Sequence, residues 1–177
     1  MDTSKREALW VLRAQCGDRQ ALEHLLRHVQ PSLHRYLRGL IGSTDADDIL
    51  QEVLVLVFRK LTWLESPELF RPWVFRIASR AAFRHLKPDK QEQACDATML
   101  ENIPAPDIRP PDDLVQQLVS HDAITPASRA VLLLHFKEEM TLLEVAAVLD
   151  LPLGTVKSRL AYGLTTLRKQ LKKERSI

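Results

Sequence analysis

Lys157, Ser158, Arg159, Ala161 and Tyr162 fall to one side of an apolar seam made by Val156, Leu160, Leu164, Leu167 and Leu171. Apolar residues at three- and four-residue steps predict a helix with one buried stripe. Arginine and lysine near the start of such a helix suit guanine edges or phosphates. Thr155 and the free backbone N–H groups of the first turn suit a phosphate. Further along, Arg168, Lys169, Lys172, Lys173 and Arg175 would add attraction that depends on salt rather than sequence. The bland alternative is a basic helix end that complements its own dipole.

A second group lies in "FRPWVFRIASRAAFRHLK", where Arg76, Arg80, Phe83 and Lys87 follow at steps of four, three and four, flanked by Phe75 and Arg84. Cations along one stripe with aromatics between them can track a backbone and stack on bases, which suits single-stranded nucleic acid better than a duplex groove. The competing reading is a solvated helix face with a partly buried Phe83. A third group, Asp45, Asp47, Asp48, Gln51 and Glu52, precedes the apolar run "VLVLVF". The helix dipole accounts for acids in a first turn. It does not account for Gln51 and Glu52 above so apolar a helix, which reads as a polar docking surface for a basic partner.

Enzyme chemistry finds little to stand on. His24 and His28 have the i, i+4 spacing of a metal pair, but no third ligand or HExxH pattern accompanies them. There is no glycine-rich phosphate loop and no visible nucleophile–base pairing. No catalytic residue, metal or cofactor is expected. Cys16 and Cys95 lie far apart outside any CxxC pattern, which suits a reduced, cytoplasmic protein. The apolar runs are far below the roughly 20 residues that cross a bilayer, and the first residues lack a signal-peptide core, so neither membrane insertion nor export is expected.

The elements that carry these groups are all helical by periodicity. Charge divides the chain: residues 1–87 hold 14 Lys/Arg against 10 Asp/Glu, residues 88–122 hold 2 against 8, and residues 123–177 hold 9 against 5. The acidic block contains Pro88, Pro104, Pro106, Pro110 and Pro111 and shows no apolar period. The expected architecture is therefore all-α, with small helical domains at 1–87 and 112–177 joined by an extended acidic linker over 88–111. In the first domain a helix rich in Leu should be kinked or split at Pro31. Thr44 or Asp45 should cap a helix reaching about Leu61, and Ser66 with Pro67 should open a helix with Phe70, Trp73, Val74, Ile77, Ala78, Ala81 and His85 on one face. In the second, Thr125 with Pro126 opens one helix and Thr141 with Glu144 forms a capping box. A tight turn from Asp150 to Gly154 then leads to the basic helix, completing a helix-turn-helix.

"DADDILQEV", "FRPWVFRIASRAAFRHL" and "VAAVLDLPLGTVKSRLAYGLTTLRK", in this order, resemble bacterial sigma factors of the extracytoplasmic-function group, the minimal sigma-70 branch with only regions 2 and 4. The resemblance implies a transcription initiation factor that lends promoter specificity to core RNA polymerase and helps open DNA. It implies that Asp48, Gln51 and Glu52 dock on the β′ clamp helices, with the β flap as a further contact. It implies that Trp63, Phe75, Arg76, Arg80, Phe83, Arg84 and Lys87 serve the −10 element, the loop from Trp63 to Pro67 included. Thr155, Lys157, Ser158, Arg159 and Tyr162 match the −35 reader, and the acidic linker would thread the RNA-exit path. An anti-sigma factor is a partner such proteins often answer to. The chain departs from the family pattern at Ser79–Arg80, at Asp150 in place of the usual turn glycine, and at Tyr162–Gly163. The alternative from the residues alone is a helix-turn-helix regulator of duplex DNA that works without polymerase.

Overall fold

The computed structural model describes residues 3–86 and 124–174, and every regular element among them is helical. Lys87, the linker at 88–111, the start of the second domain at 112, Cys95 and Arg175 lie outside the described residues. In chain order the elements are α1 (Thr3–Gln15), α2 (Arg19–Ile41) and α3 (Ser43–Lys60), then two 3₁₀ turns (Leu61–Trp63 and Pro67–Leu69) and α4 (Phe70–His85). After the gap come α5 (Pro126–Leu132), a π-helical turn (Leu133–Lys137), α6 (Leu142–Leu149) and α7 (Leu153–Glu174).

Local chemistry sets most of the boundaries. Asp18 caps α2 by accepting from the Ala21 N–H at 3.0 Å. Thr125 caps α5 with Pro126 in the first turn, and Thr141 and Glu144 close the capping box of α6 in both directions. Three boundaries differ from expectation. Of the kink or split expected at Pro31, the split does not occur, because Ala21, Leu25, Val29, Leu33, Leu37 and Leu40 form one buried stripe that continues across it. That packing holds the helix together despite the missing N–H. Gly42, at φ +89°, breaks the chain and α3 begins at Ser43, so Thr44 and Asp45 already lie inside the first turn and neither side chain caps it. Ser66 does precede the helical proline but makes no cap bond, and the turn it opens is 3₁₀ before α4 takes over at Phe70.

The N-terminal unit packs α2, α3 and α4 around Leu25, Leu33, Leu37, Val53, Val57 and Phe70. The same core runs without a break into the C-terminal unit through Ile124, Leu132, Leu133, Leu134 and Met140. The join is close: a Cβ placed on Gly39 of α2 would lie 2.9 Å from Leu133 Cδ1. α4 also packs along α6, the first helix of the helix-turn-helix. The two helical units are therefore closed on each other.

Candidate nucleic-acid and docking interface

Burial of Val53 and Val57 on α3 turns Asp48, Gln51 and Glu52 outward, and all three are exposed. The same face continues into Val55 and Phe58, the latter 61% exposed. The apolar run "VLVLVF" does not by itself show which of its residues face outward. Counting from Val53 by fours would have separated the outward residues. The acids are not idle: Glu52 is paired with Arg84 of α4, Asp47 lies 2.8 Å from His34 Nε2, and Asp45 lies 3.2 Å from His85 Nε2. The outward face of α3 and one end of the cation stripe thus meet in an ion pair.

The loop after α3 presents Trp63 to solvent at 75% exposure, between the buried Leu61 and Leu64. The Gln15 side-chain amide crosses from the end of α1 and donates to the carbonyls of Leu61 and Leu64 at 2.9 and 2.8 Å.

On α4 the stripe divides. Arg80 and Arg84 are exposed, while Arg76 and Phe83 are half-buried. Phe75 is fully buried and is not part of an exposed stacking surface. Its ring meets Tyr36 edge-on at 5.4 Å and lies under the Arg71 guanidinium. The cause is position, since Phe75 follows Val74 on the side of α4 that faces α2. Ser79, on the same side, donates to the Phe75 carbonyl at 2.7 Å and takes a 2.7 Å hydrogen bond from the Tyr36 hydroxyl. A departure from the family pattern therefore serves the core here, and burial pushes the Tyr36 hydroxyl pKa well above its ordinary value.

The helix-turn-helix is well formed. Asp150 adopts the left-handed conformation (φ 57°, ψ 47°), and the Leu151 N–H donates back to Ala146 O at 3.0 Å, a Schellman closure. Aspartate tolerates that conformation better than most residues, which lets it replace glycine. On α7, Val156, Leu160, Leu164 and Leu167 are buried. Lys157 and Tyr162 are exposed, and Thr155, Ser158 and Arg159 are half-buried. The Ser158 hydroxyl donates to Thr155 O at 2.9 Å. Ala161, grouped with the reading side, is buried instead. Gly163 is a packing glycine, because a Cβ there would come within 2.5 Å of Leu132 Cδ1.

Charge pairs link the two units. Glu138, whose side chain is 1% exposed, lies 2.7 Å from Arg71 and 3.6 Å from Arg35. Burial raises its carboxyl above the ordinary value against the pull of those two arginines. Asp150 reaches Arg76 at 3.5 Å and Arg80 at 3.9 Å. These pairs left no trace in the sequence, where the partners are far apart. His24 and His28 pack on Trp10, and His28 lies 3.2 Å from the buried Glu7, whose pKa is also raised by burial. Among the described residues no cluster of three or more ligands suits a metal, and no helix is long and apolar enough to cross a membrane.

Comparison with known proteins gives matches over both units. The family model "Sigma-70 region 2" matches residues 25–91, and "Sigma-70, region 4" matches residues 122–169. The RNA polymerase sigma-H factor of Pseudomonas aeruginosa is 29% identical over 187 aligned positions, covering 97% of this chain and 96% of that protein. The ECF RNA polymerase sigma factor SigW of Bacillus subtilis is 26% identical over 171, covering 88% and 91%. In fold the chain is similar to CnrH, solved in complex with the cytosolic domain of CnrY. The TM-score is 0.71 at 21% identity, over 95% of this chain and 98% of that one.

Proposed function

The chain belongs to the sigma-70 family as an extracytoplasmic-function sigma factor with regions 2 and 4, a non-enzymatic factor that directs RNA polymerase to promoters, and we propose how its residues divide that work. Asp48, Gln51 and Glu52 dock on the β′ clamp helices of core polymerase, and Val55 and Phe58 extend the dock with apolar surface. Trp63, Arg76, Arg80, Phe83 and Arg84 hold the melted −10 strand, with Lys87 continuing the stripe. Thr155, Lys157, Ser158, Arg159 and Tyr162 meet the −35 duplex from α7, and the β flap is the further contact of this unit. Residues 1–87 and 112–177 act as the two functional domains and 88–111 as the linker between them.

The observation that carries this reading is the outward face of α3. Three polar residues and then two apolar ones stand exposed on a helix whose other face is fully packed. Exposed apolar side chains next to charges are costly to leave in water and fit an interface of apolar centre and polar rim. A factor of this kind works in the cytoplasm, where core polymerase is. An anti-sigma partner follows from the family resemblance, and CnrH, similar in fold, is solved with the cytosolic domain of CnrY.

In the closed arrangement α6 covers part of the −10 face, so the two units separate when promoter DNA is engaged. The Glu52–Arg84 pair likewise opens or rearranges as each residue meets its own partner. Size-exclusion co-elution with core polymerase tests the dock. The wild type should co-elute and the Gln51→Ala/Glu52→Lys double variant should not. Co-elution of both to the same extent would remove the α3 face from the reading.

A further inference from the structure

We propose that Gln15 is a positioning residue for Trp63, fixing the surface turn that presents the indole to a base of the melted −10 strand. The inference rests on the proposed role of Trp63 in that strand and deepens it.

Three features combine. Trp63 is 75% exposed, more than any other large apolar side chain among the described residues. An indole so exposed gains little from the fold, whereas stacking on a base would cover it. The turn that carries it is a single 3₁₀ turn, Leu61–Trp63, closed by one backbone bond from the Leu64 N–H to Leu61 O at 3.1 Å. So short an element has little rigidity of its own. Gln15 supplies what is missing, since its Nε2 donates to both Leu61 O and Leu64 O, the carbonyls that bracket Thr62 and Trp63.

The chemistry of the carboxamide matters here. An amide –NH₂ has two donors in one plane, and both are used on acceptors that cannot themselves donate. The flip of the side chain is thereby fixed, because the oxygen would face two carbonyls in the other orientation. Leu61 and Leu64 are buried, which anchors the turn on the inside while Gln15 ties it from α1. α1 also packs along the second turn, Pro67–Leu69, so one helix braces the whole loop. Stacking requires the ring plane to be held within roughly 10–20° of its productive orientation. A braced turn meets that demand and a loose one does not.

The test uses the full chain assembled with core polymerase and a fluorescently labelled single-stranded −10 oligonucleotide. Affinity is measured for the wild type, Gln15→Met, Trp63→Ala and the double variant, with core binding and melting temperature measured alongside. Trp63→Ala should weaken strand binding about tenfold or more, the range of one base–aromatic stack. Gln15→Met should weaken it severalfold, leave core binding unchanged, and add nothing once Trp63 is gone. In a Trp10→Phe/Trp73→Phe background, Gln15→Met should also lower the fluorescence anisotropy of the remaining indole. Gln15→Glu keeps the shape but sets acceptors against two carbonyls, so it should reproduce the loss if Gln15→Met folds poorly. An equal loss from Gln15→Met with and without Trp63 would overturn the proposal in favour of a structural role. No loss from Gln15→Met beside a clear loss from Trp63→Ala would overturn it too. No loss from Trp63→Ala sinks both and marks the role of Trp63 as the failed step.

Discussion

Asp150 holds its carboxylate 3.5 Å from the guanidinium of Arg76 and 3.9 Å from that of Arg80. An acidic side chain from the turn of the helix-turn-helix therefore sits where the −10 reading expects the phosphates of a DNA strand. The pair is solvent-exposed, with Asp150 the most open member. Such contacts contribute about 0–1 kcal/mol. Asp150→Asn keeps a residue that tolerates the left-handed turn and removes the charge. It should raise affinity of the free protein for a −10 single strand by up to about fivefold, the equivalent of that energy. Unchanged affinity, measured at low salt, would show that the Asp150 pairs play no part in closure.

Glu138 gives closure a pH dependence. Burial is the largest influence on its carboxyl and raises its pKa; Arg71 and then Arg35 oppose it. A group whose folded pKa is raised contributes stability that is fully present below its unfolded value and lost as pH rises through the folded one. Glu7 carries the same sign, raised mainly by burial and opposed by Arg71 and His28. Asp18 has the opposite sign: the Ala21 N–H and Arg13 lower it, so its contribution is lost as pH falls through its folded value. Wild type should gain stability relative to Glu138→Gln as pH falls toward the ordinary glutamate value of 4.5, a comparison that cancels Asp18, while Glu7 shares Arg71 with Glu138. Melting curves of both proteins at fixed ionic strength check it. A difference that shrinks on acidification would mean that the arginines outweigh burial.

Gly163 separates helix propensity from packing. Alanine is favoured over glycine within a helix by up to about 1 kcal/mol. At this site the new Cβ would fall 2.5 Å from Leu132 Cδ1, and Leu132 is fully buried, so its methyl can shift only against packed neighbours. Overpacking of this kind costs about 1–3 kcal/mol. Gly163→Ala should therefore lower the melting temperature by several degrees. A rise instead would show that α5 and α7 can part at little cost.

What the sequence disclosed follows the range of the interaction. The capping box of Thr141 and Glu144 and the cap at Thr125 are contacts within one turn, so residue type and spacing were enough. The seam of Val156, Leu160, Leu164 and Leu167 was legible for the same reason, being periodic along one helix. Gly42 was harder: its positive φ ends one helix and starts the next, where a side-chain cap at Thr44 or Asp45 looked sufficient. Phe75, read as a flank of the stripe, and Phe83, read as part of it, were both aromatic neighbours of arginine. Only the packing of α4 on Tyr36 sends the first inward. The pairs Asp150–Arg76 and Glu138–Arg71 join residues far apart in the chain and leave no period to read.

The basic end of the chain separates duplex reading from docking. Lys157 is exposed and Arg159 half-buried near the start of α7, whereas the residues proposed for docking stand on α3. Each phosphate neutralised by a cation adds about 0.9 to the slope of log affinity against log salt for duplex DNA. If both residues contact phosphate, Lys157→Ala with Arg159→Ala should reduce that slope by roughly two and weaken all duplexes alike. If either reads a base edge, the slope falls by less and discrimination against a changed base pair drops by about 1–3 kcal/mol at that position. In both cases core binding should stay at the wild-type level. Equal loss of duplex and core binding would refute the division between α7 and α3, because it would make the two cations part of the fold rather than of the DNA-reading surface.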